Sequence, residues 1–210
     1  GFDVTTYTGT SLDNTLHPHS LSKTPEMIWI KNRTRTGGGS DGNWVAWHKD
    51  YGGGGSAAAN LVINLNDSSY GEGSSSGIFG GSGANLPTST HFYTGDHDTV
   101  NSSSYAYLAL LFASVTGISK VGSYSGSSSE QTITTGFQPR FVIIRRFDSG
   151  GGWNVLDTTR GWAAGNDSYL KLDSSTAQNS GYDIGVPTAT GFTLTGNMGG
   201  TNVSGGSFLY

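Results

Sequence analysis

Over about one hundred residues this chain repeats its own landmarks, and that repeat narrows the possible folds more than any other feature. Leu86-Pro87-Thr88-Ser89-Thr90-His91-Phe92 returns as Val186-Pro187-Thr188-Ala189-Thr190-Gly191-Phe192, with four identities at an offset of 100. Other landmarks recur in the same order. Thr24–Asn32 aligns with Gln138–Arg146, and Gly42-Asn43-Trp44-Val45 with Gly151-Gly152-Trp153-Asn154. Tyr7-Thr8-Gly9 aligns with Tyr124-Ser125-Gly126, and Ser104-Tyr105-Ala106-Tyr107 with Ser207-Phe208-Leu209-Tyr210. The offset falls from 117 at Tyr7 toward 100 further on, as loop insertions in the first copy would produce. Shared Pro, Trp, Phe and Tyr positions in register are not what a chance alignment of Gly and Ser gives. A period of about 110 residues is too long for a solenoid repeat or a propeller blade and suits a tandem of sandwich domains. The expected copies are 1–114 and 115–210. The first runs on through Leu108-Ala109-Leu110-Leu111-Phe112 where the second reaches Tyr210, so the second copy is expected either to have its last strand cut short or to continue beyond the given sequence.

Composition decides whether such units can hold a core. Only 34% of residues are hydrophobic and 12% charged, and 34 are Gly, which by itself is compatible with disorder. The 5 Trp, 10 Tyr and 9 Phe argue otherwise, because many sit in short apolar runs. Each large side chain buried contributes about 1.5–3 kcal/mol. Met27–Lys31 and Phe141–Arg145 read as central strands, and Trp44–His48 and Trp153–Leu156 as their hairpin partners. Asn60–Asn64, Tyr169–Leu172, Phe92–Thr94, Phe192–Thr195, Tyr105–Phe112, Val121–Tyr124 and Gln131–Thr135 complete the strand set, with one short helical turn at Ser56–Asn60. The expected class is all-β: two tandem jelly-roll or lectin-like antiparallel sandwiches.

Several functions are disfavoured. The net charge is −4 and the basic groups, Lys31/Arg33/Arg35 and Arg145/Arg146, are small, so nucleic acid is not an expected partner. No apolar run approaches the roughly 18 residues of a membrane helix, and no membrane role is expected. With no cysteine there are no disulfides, thiolate metal sites or cysteine nucleophiles. That absence leans toward bacterial and viral exterior proteins.

The stretch Gly136-Phe137-Gln138-Pro139 followed by Arg140–Arg146 resembles the repeated β-rich domain of uncharacterised function found in tail-fibre-like and other virion proteins of marine and cyanobacterial phages. Asp157-Thr158-Thr159-Arg160-Gly161, Gly191-Phe192-Thr193-Leu194 and Ser207-Phe208-Leu209-Tyr210 match its later elements. The first copy keeps Trp29-Ile30-Lys31-Asn32-Arg33 but reads His48-Lys49-Asp50-Tyr51-Gly52 at the Asp-x-x-Arg-Gly element. The resemblance implies a virion exterior protein and no catalytic activity.

Candidate sites are few. Trp47, His48, Asp50 and Tyr51 combine aromatic faces with a carboxylate, the chemistry that stacks and hydrogen-bonds sugars, although core packing competes as a reading. Trp44 has a counterpart in Trp153, which favours a structural role for both. Asp96 and Asp98, as alternate residues of one strand, could share a Ca²⁺, the one ion considered; a solvated turn is the simpler reading. No other cofactor is expected. His17-Pro18-His19 reads as a surface turn rather than a metal site. Asp157 and Arg160 are expected to pin a turn as an ion pair. Glu26, Glu72 and Glu130 lie outside apolar strands, so no raised-pKa carboxylate pair of a hydrolase is expected.

The leading expectation is therefore a non-enzymatic virion structural protein, a tail fibre, spike or capsid decoration located on the virion exterior. Its partners would be other virion proteins or itself, as a homo-oligomer with threefold symmetry by analogy, and host surface polysaccharide. The alternatives are a lectin-like module of a bacterial surface protein and a secreted fibre subunit completed by strand addition.

Overall fold

The computed structural model describes residues 1–35, 42–51, 63–64, 77–81, 83 and 85–210, with backbone only at 63–64. The Ser56–Asn60 turn and most of the Asn60–Asn64 strand lie outside the described residues. The fold is all-β, and the chain passes from one compact unit to a second between Ser114 and Val115.

The first unit contains β1 (Phe2–Thr8), β2 (Thr15–Pro18), β3 (Met27–Asn32), β4 (Trp44–His48), β5 (Ile63–Asn64), β6 (His91–Thr94), a helical turn α1 (Asp98–Asn101) and β7 (Ala106–Phe112). An antiparallel sheet runs β1-β7-β3-β4-β5, and β2 pairs with β6 in a second, smaller one. Strand alternation sends Ile28 and Ile30 of β3, Val45 and Trp47 of β4, and Tyr107, Ala109 and Leu111 of β7 to one face. There they join Phe92 of β6 and Val100 of α1, so both sheets share one apolar cluster.

Two of these strands were not expected. In β1, Phe2 and Val4 have even parity and Tyr7 odd, so no single apolar face shows in the sequence. Tyr7 packs on the core, while Phe2 and Val4 point away from it. β2 contains His17-Pro18, which is no surface turn: His17 is buried opposite Phe92. Pro18 is tolerated because it ends a strand in a two-stranded sheet.

The second unit contains β8 (Ser123–Ser125), β9 (Gln131–Thr134), β10 (Phe141–Arg146), β11 (Trp153–Asp157), β12 (Asp167–Lys171), β13 (Asn179–Tyr182), β14 (Pro187–Thr188), β15 (Gly191–Leu194) and β16 (Ser207–Leu209). Its larger sheet runs β13-β12-β11-β10-β16-β8 and its smaller one β14-β15-β9. Ile133, Val142, Ile144, Leu156, Phe192, Leu194 and Phe208 form a common core with Trp162, which enters from the loop after β11.

The units share their wiring. In each larger sheet the first strand lies beside the last, the last beside the third, and the third beside the fourth. They also share a device at that junction. Tyr7 stacks on Tyr107 with ring centres 5.2 Å apart, and Tyr124 on Phe208 at 4.9 Å. The Tyr7 hydroxyl donates to the Val100 carbonyl at 2.7 Å, and that of Tyr124 to Thr201 at 2.6 Å. Next along the chain sits a fully buried asparagine in each unit, Asn101 and Asn202. Asn101 Oδ1 accepts from Thr10 N–H, while its Nδ2 donates to Leu12 and Gly95 carbonyls. Asn202 Oδ1 accepts from Ser127 N–H and its Nδ2 donates to the Ser129 carbonyl. Gly9 and Gly126 complete the junction. A Cβ at either would lie 2.1 Å from a backbone oxygen, Ser102 O and Val203 O respectively, so neither position admits a side chain.

This geometry sets Tyr107 against Phe208, where the sequence alignment set Tyr105. The two-residue difference preserves strand parity, so every side chain keeps its face.

Candidate functional site

Most of the residues expected to bind ligand are part of the fabric of the fold. Trp47 has the parity of Val45, faces the core and is 4% exposed. His48 is buried and its Nδ1 accepts the Asp50 N–H at 3.1 Å. Tyr51 is buried, and the Asp50 carboxylate pairs with Lys49 at 2.9 Å. The expected sugar platform is thus corrected: none of its aromatic rings presents a face to solvent. Trp44 and Trp153 occupy matching places, opposite Lys31 and Arg145 in neighbouring strands. The Arg145 guanidinium carbon lies 5.7 Å from the Trp153 ring centre, a cation–π arrangement.

The Asp96/Asp98 expectation is also corrected. β6 ends at Thr94, so the two carboxylates do not alternate along a strand. His97 instead caps α1, its side chain accepting the Thr99 N–H at 3.2 Å. No group of three or more His, Asp or Glu able to hold a metal occurs among the described residues. Asp157 does pin its turn, but through backbone: its Oδ1 accepts the Thr159 N–H at 2.7 Å. Arg160 reaches Gln178 Oε1 at 2.9 Å instead of the carboxylate.

Two buried polar residues were not foreseen. His17 Nε2 lies 2.8 Å from Thr94 Oγ1, its ring 3.8 Å from that of Tyr7, and burial lowers its pKa to about 4. Asp167 accepts from Ala163 N–H at 3.0 Å, Ile184 N–H at 2.7 Å and Gly185 N–H at 3.2 Å. Burial pushes its carboxyl pKa up, with these donors pulling it down. Both groups are committed to the core by their partners. Nothing in the residue types around Asn166-Asp167-Ser168 distinguishes the carboxylate from a surface loop acid.

The first unit carries an apolar patch at its β1 edge. The face of its larger sheet opposite the core carries cross-strand rows. Phe2, Phe112 and Met27 are neighbours in one, and Val4, Leu110 and Trp29 in the next. Phe112 lies 5.1 Å from both the Phe2 and the Trp29 ring centres. At the β1 edge the rows open to solvent, with Phe2 57% and Val4 48% exposed. Contiguous exposed apolar side chains of this kind mark contact surfaces. The strand edge beside them is partly closed. Hydrogen bonds from Gly9 N–H to Tyr105 O and from Ala113 N–H to Gly1 O turn the even-numbered backbone groups of β1 outward. One of these, the Val4 N–H, is already taken by Asp3 Oδ1 at 2.9 Å, and Asp3 Oδ2 accepts the Ser20 N–H at 2.7 Å.

A family profile described as a domain of unknown function, DUF7483, matches residues 1–210. The chain belongs to the DUF7483 family. No curated protein and no solved structure matches it. The match runs across both units. In this DUF7483 chain the buried side chains of Asn101, Asn202 and Asp167 hold turns and sheet junctions. The surface chemistry on offer at the β1 edge is packing.

Proposed function

We propose that the chain is a non-enzymatic structural protein of a virion exterior, built from two copies of one β-sandwich unit, and that the open sheet face of the first unit packs against a second copy of the chain. The observation that carries this reading is the apolar face of β1 and β7. Its solvent-open part, Phe2 and Val4 with Leu110 and Phe112 beside them, bears no charged side chain. A neutral apolar face is complementary to itself, and a copy related by symmetry would bury it at about 25 cal/mol per Å². The tandem reading is supported by the common strand order and by the matched Tyr7/Asn101 and Tyr124/Asn202 junctions. The virion setting rests on the resemblance of Gly136–Arg146 and the elements that follow it.

Completion by strand addition draws less support. β16, the strand expected to be cut short, already lies between β10 and β8, and Asp3 occupies part of the β1 edge. Because the chain has no cysteine, a single Val4→Cys thiol reports on the face directly. Its maleimide labelling should slow as protein concentration rises, while a Ser180→Cys control on the exposed strand β13 should not. Equal, concentration-independent labelling at both positions would rule out packing through this face.

A further inference from the structure

Within the second unit, β12, β13 and the loop after β15 enclose an open groove of about 450 Å³ lined by Tyr169, Asn179, Tyr182, Asn197, Gly199, Gly200 and Val203. That volume lies in the range of small-ligand clefts, about 300–1,000 Å³. We infer that this groove binds neutral hexose units of a glycan, with Tyr182 as the stacking face and the Asn179 and Asn197 amides as hydroxyl partners.

The lining chooses the ligand. Two tyrosines and two asparagines supply aromatic faces, hydroxyls and amides, and no acidic or basic side chain is among them. A neutral ring offers an apolar face to an aromatic and hydroxyls to amides; the Lys171 ammonium, 5.9 Å from the Tyr169 ring centre, is not part of the lining. Tyr182 is 44% exposed on the edge strand β13, so its ring is reachable. Asn179 Oδ1 accepts the Gly181 N–H at 2.9 Å, which orients the amide and leaves its N–H₂ for a ligand. Tyr169 is buried to 3% exposure and forms the floor.

Gly199 and Gly200 also line the groove. Gly199 and Gly200 have φ of +60° and +75°, a region that L side chains rarely adopt. A Cβ at Gly199 would stand 3.2 Å from Ile184 Cδ1 and 3.7 Å from the Tyr169 hydroxyl. With no side chain there, the groove stays open beside the tyrosine. Burial and the nearby Tyr182 both hold the Tyr169 hydroxyl pKa up, so it remains a neutral donor and acceptor.

This inference is independent of the packing role, which concerns another unit. The test is saturation-transfer NMR and calorimetry of the full chain with methyl hexosides of glucose, galactose and mannose and their disaccharides. Tyr182→Ala and Asn197→Ala are run alongside, both at exposed positions where the fold is expected to persist. The expected result is binding of at least one neutral sugar, weakened at least tenfold in each variant and unchanged in Phe2→Lys. No transfer to any of these sugars by the folded chain would overturn the assignment. So would binding that Tyr182→Ala and Asn197→Ala leave intact.

Discussion

His17 and Thr94 show how much a single buried pair can carry. In the second unit the same register positions hold Ile133 and Leu194, so an all-apolar pair serves the same core. His17 has its pKa lowered from 6.5 to about 4 by burial, which fixes the direction of a pH effect. Below 6.5 the unfolded chain takes up a proton that the folded chain refuses until about 4. Stability of the first unit is therefore fully present above pH 6.5 and declines as pH falls toward 4, by about 3 kcal/mol if no other group intervenes. Urea unfolding at a series of pH values should show this slope, and the double variant His17→Ile/Thr94→Leu should flatten it. The two asparagines are the other residue-scale test. Asn101→Ala or Asn202→Ala strands several buried backbone groups and should destabilise its own unit by about 2–4 kcal/mol, read by chemical unfolding. Neither residue could be singled out in a chain so rich in Asn, Ser and Thr, since their value lies in partners distant in sequence, Thr10 and Ser127.

At the scale of elements, the central strands were legible because they are apolar on both faces. β3 and β10 are β-branched or aromatic runs, β7 is a run of Leu, Ala, Tyr and Phe, and each lies inside its sheet. Edge elements were less so. β1 divides its large apolar residues between two faces, and β13 is exposed along its whole length, so neither carries a core-facing alternation. The Pro-Thr landmark reports a real local device: the Thr88 N–H bonds the His91 carbonyl at 2.8 Å, and Thr188 pairs with Gly191. The candidate site was legible only as chemistry. Aromatic rings beside amides and carboxylates were visible around Trp47, but strand parity turns that ring inward. The comparable surface group, Tyr182 with Asn179 and Asn197, comes from two segments that no local motif joins. Trp47→Ala should therefore cost the first unit about 3–5 kcal/mol in thermal or urea unfolding, as a core truncation does, and leave sugar binding in the folded fraction unchanged.

For the whole molecule, division of labour follows from where apolar and polar surface lie. The first unit opens an apolar face at β1, and the second presents a neutral polar groove at β13. The family match covers both units. Packing through β1 should be cooperative in the apolar face and indifferent to the strand edge. Asp3→Asn, which keeps an acceptor for the Val4 N–H, should leave assembly intact. The most direct measurement is sedimentation velocity of the wild-type chain across a hundredfold concentration range beside Phe2→Lys/Val4→Lys, with circular dichroism to verify that both fold. Concentration-dependent association of the wild type, lost in the folded double variant, is the predicted result. A wild-type chain that sediments as a monomer throughout, or a variant that associates equally well, would contradict a structural role built on this face.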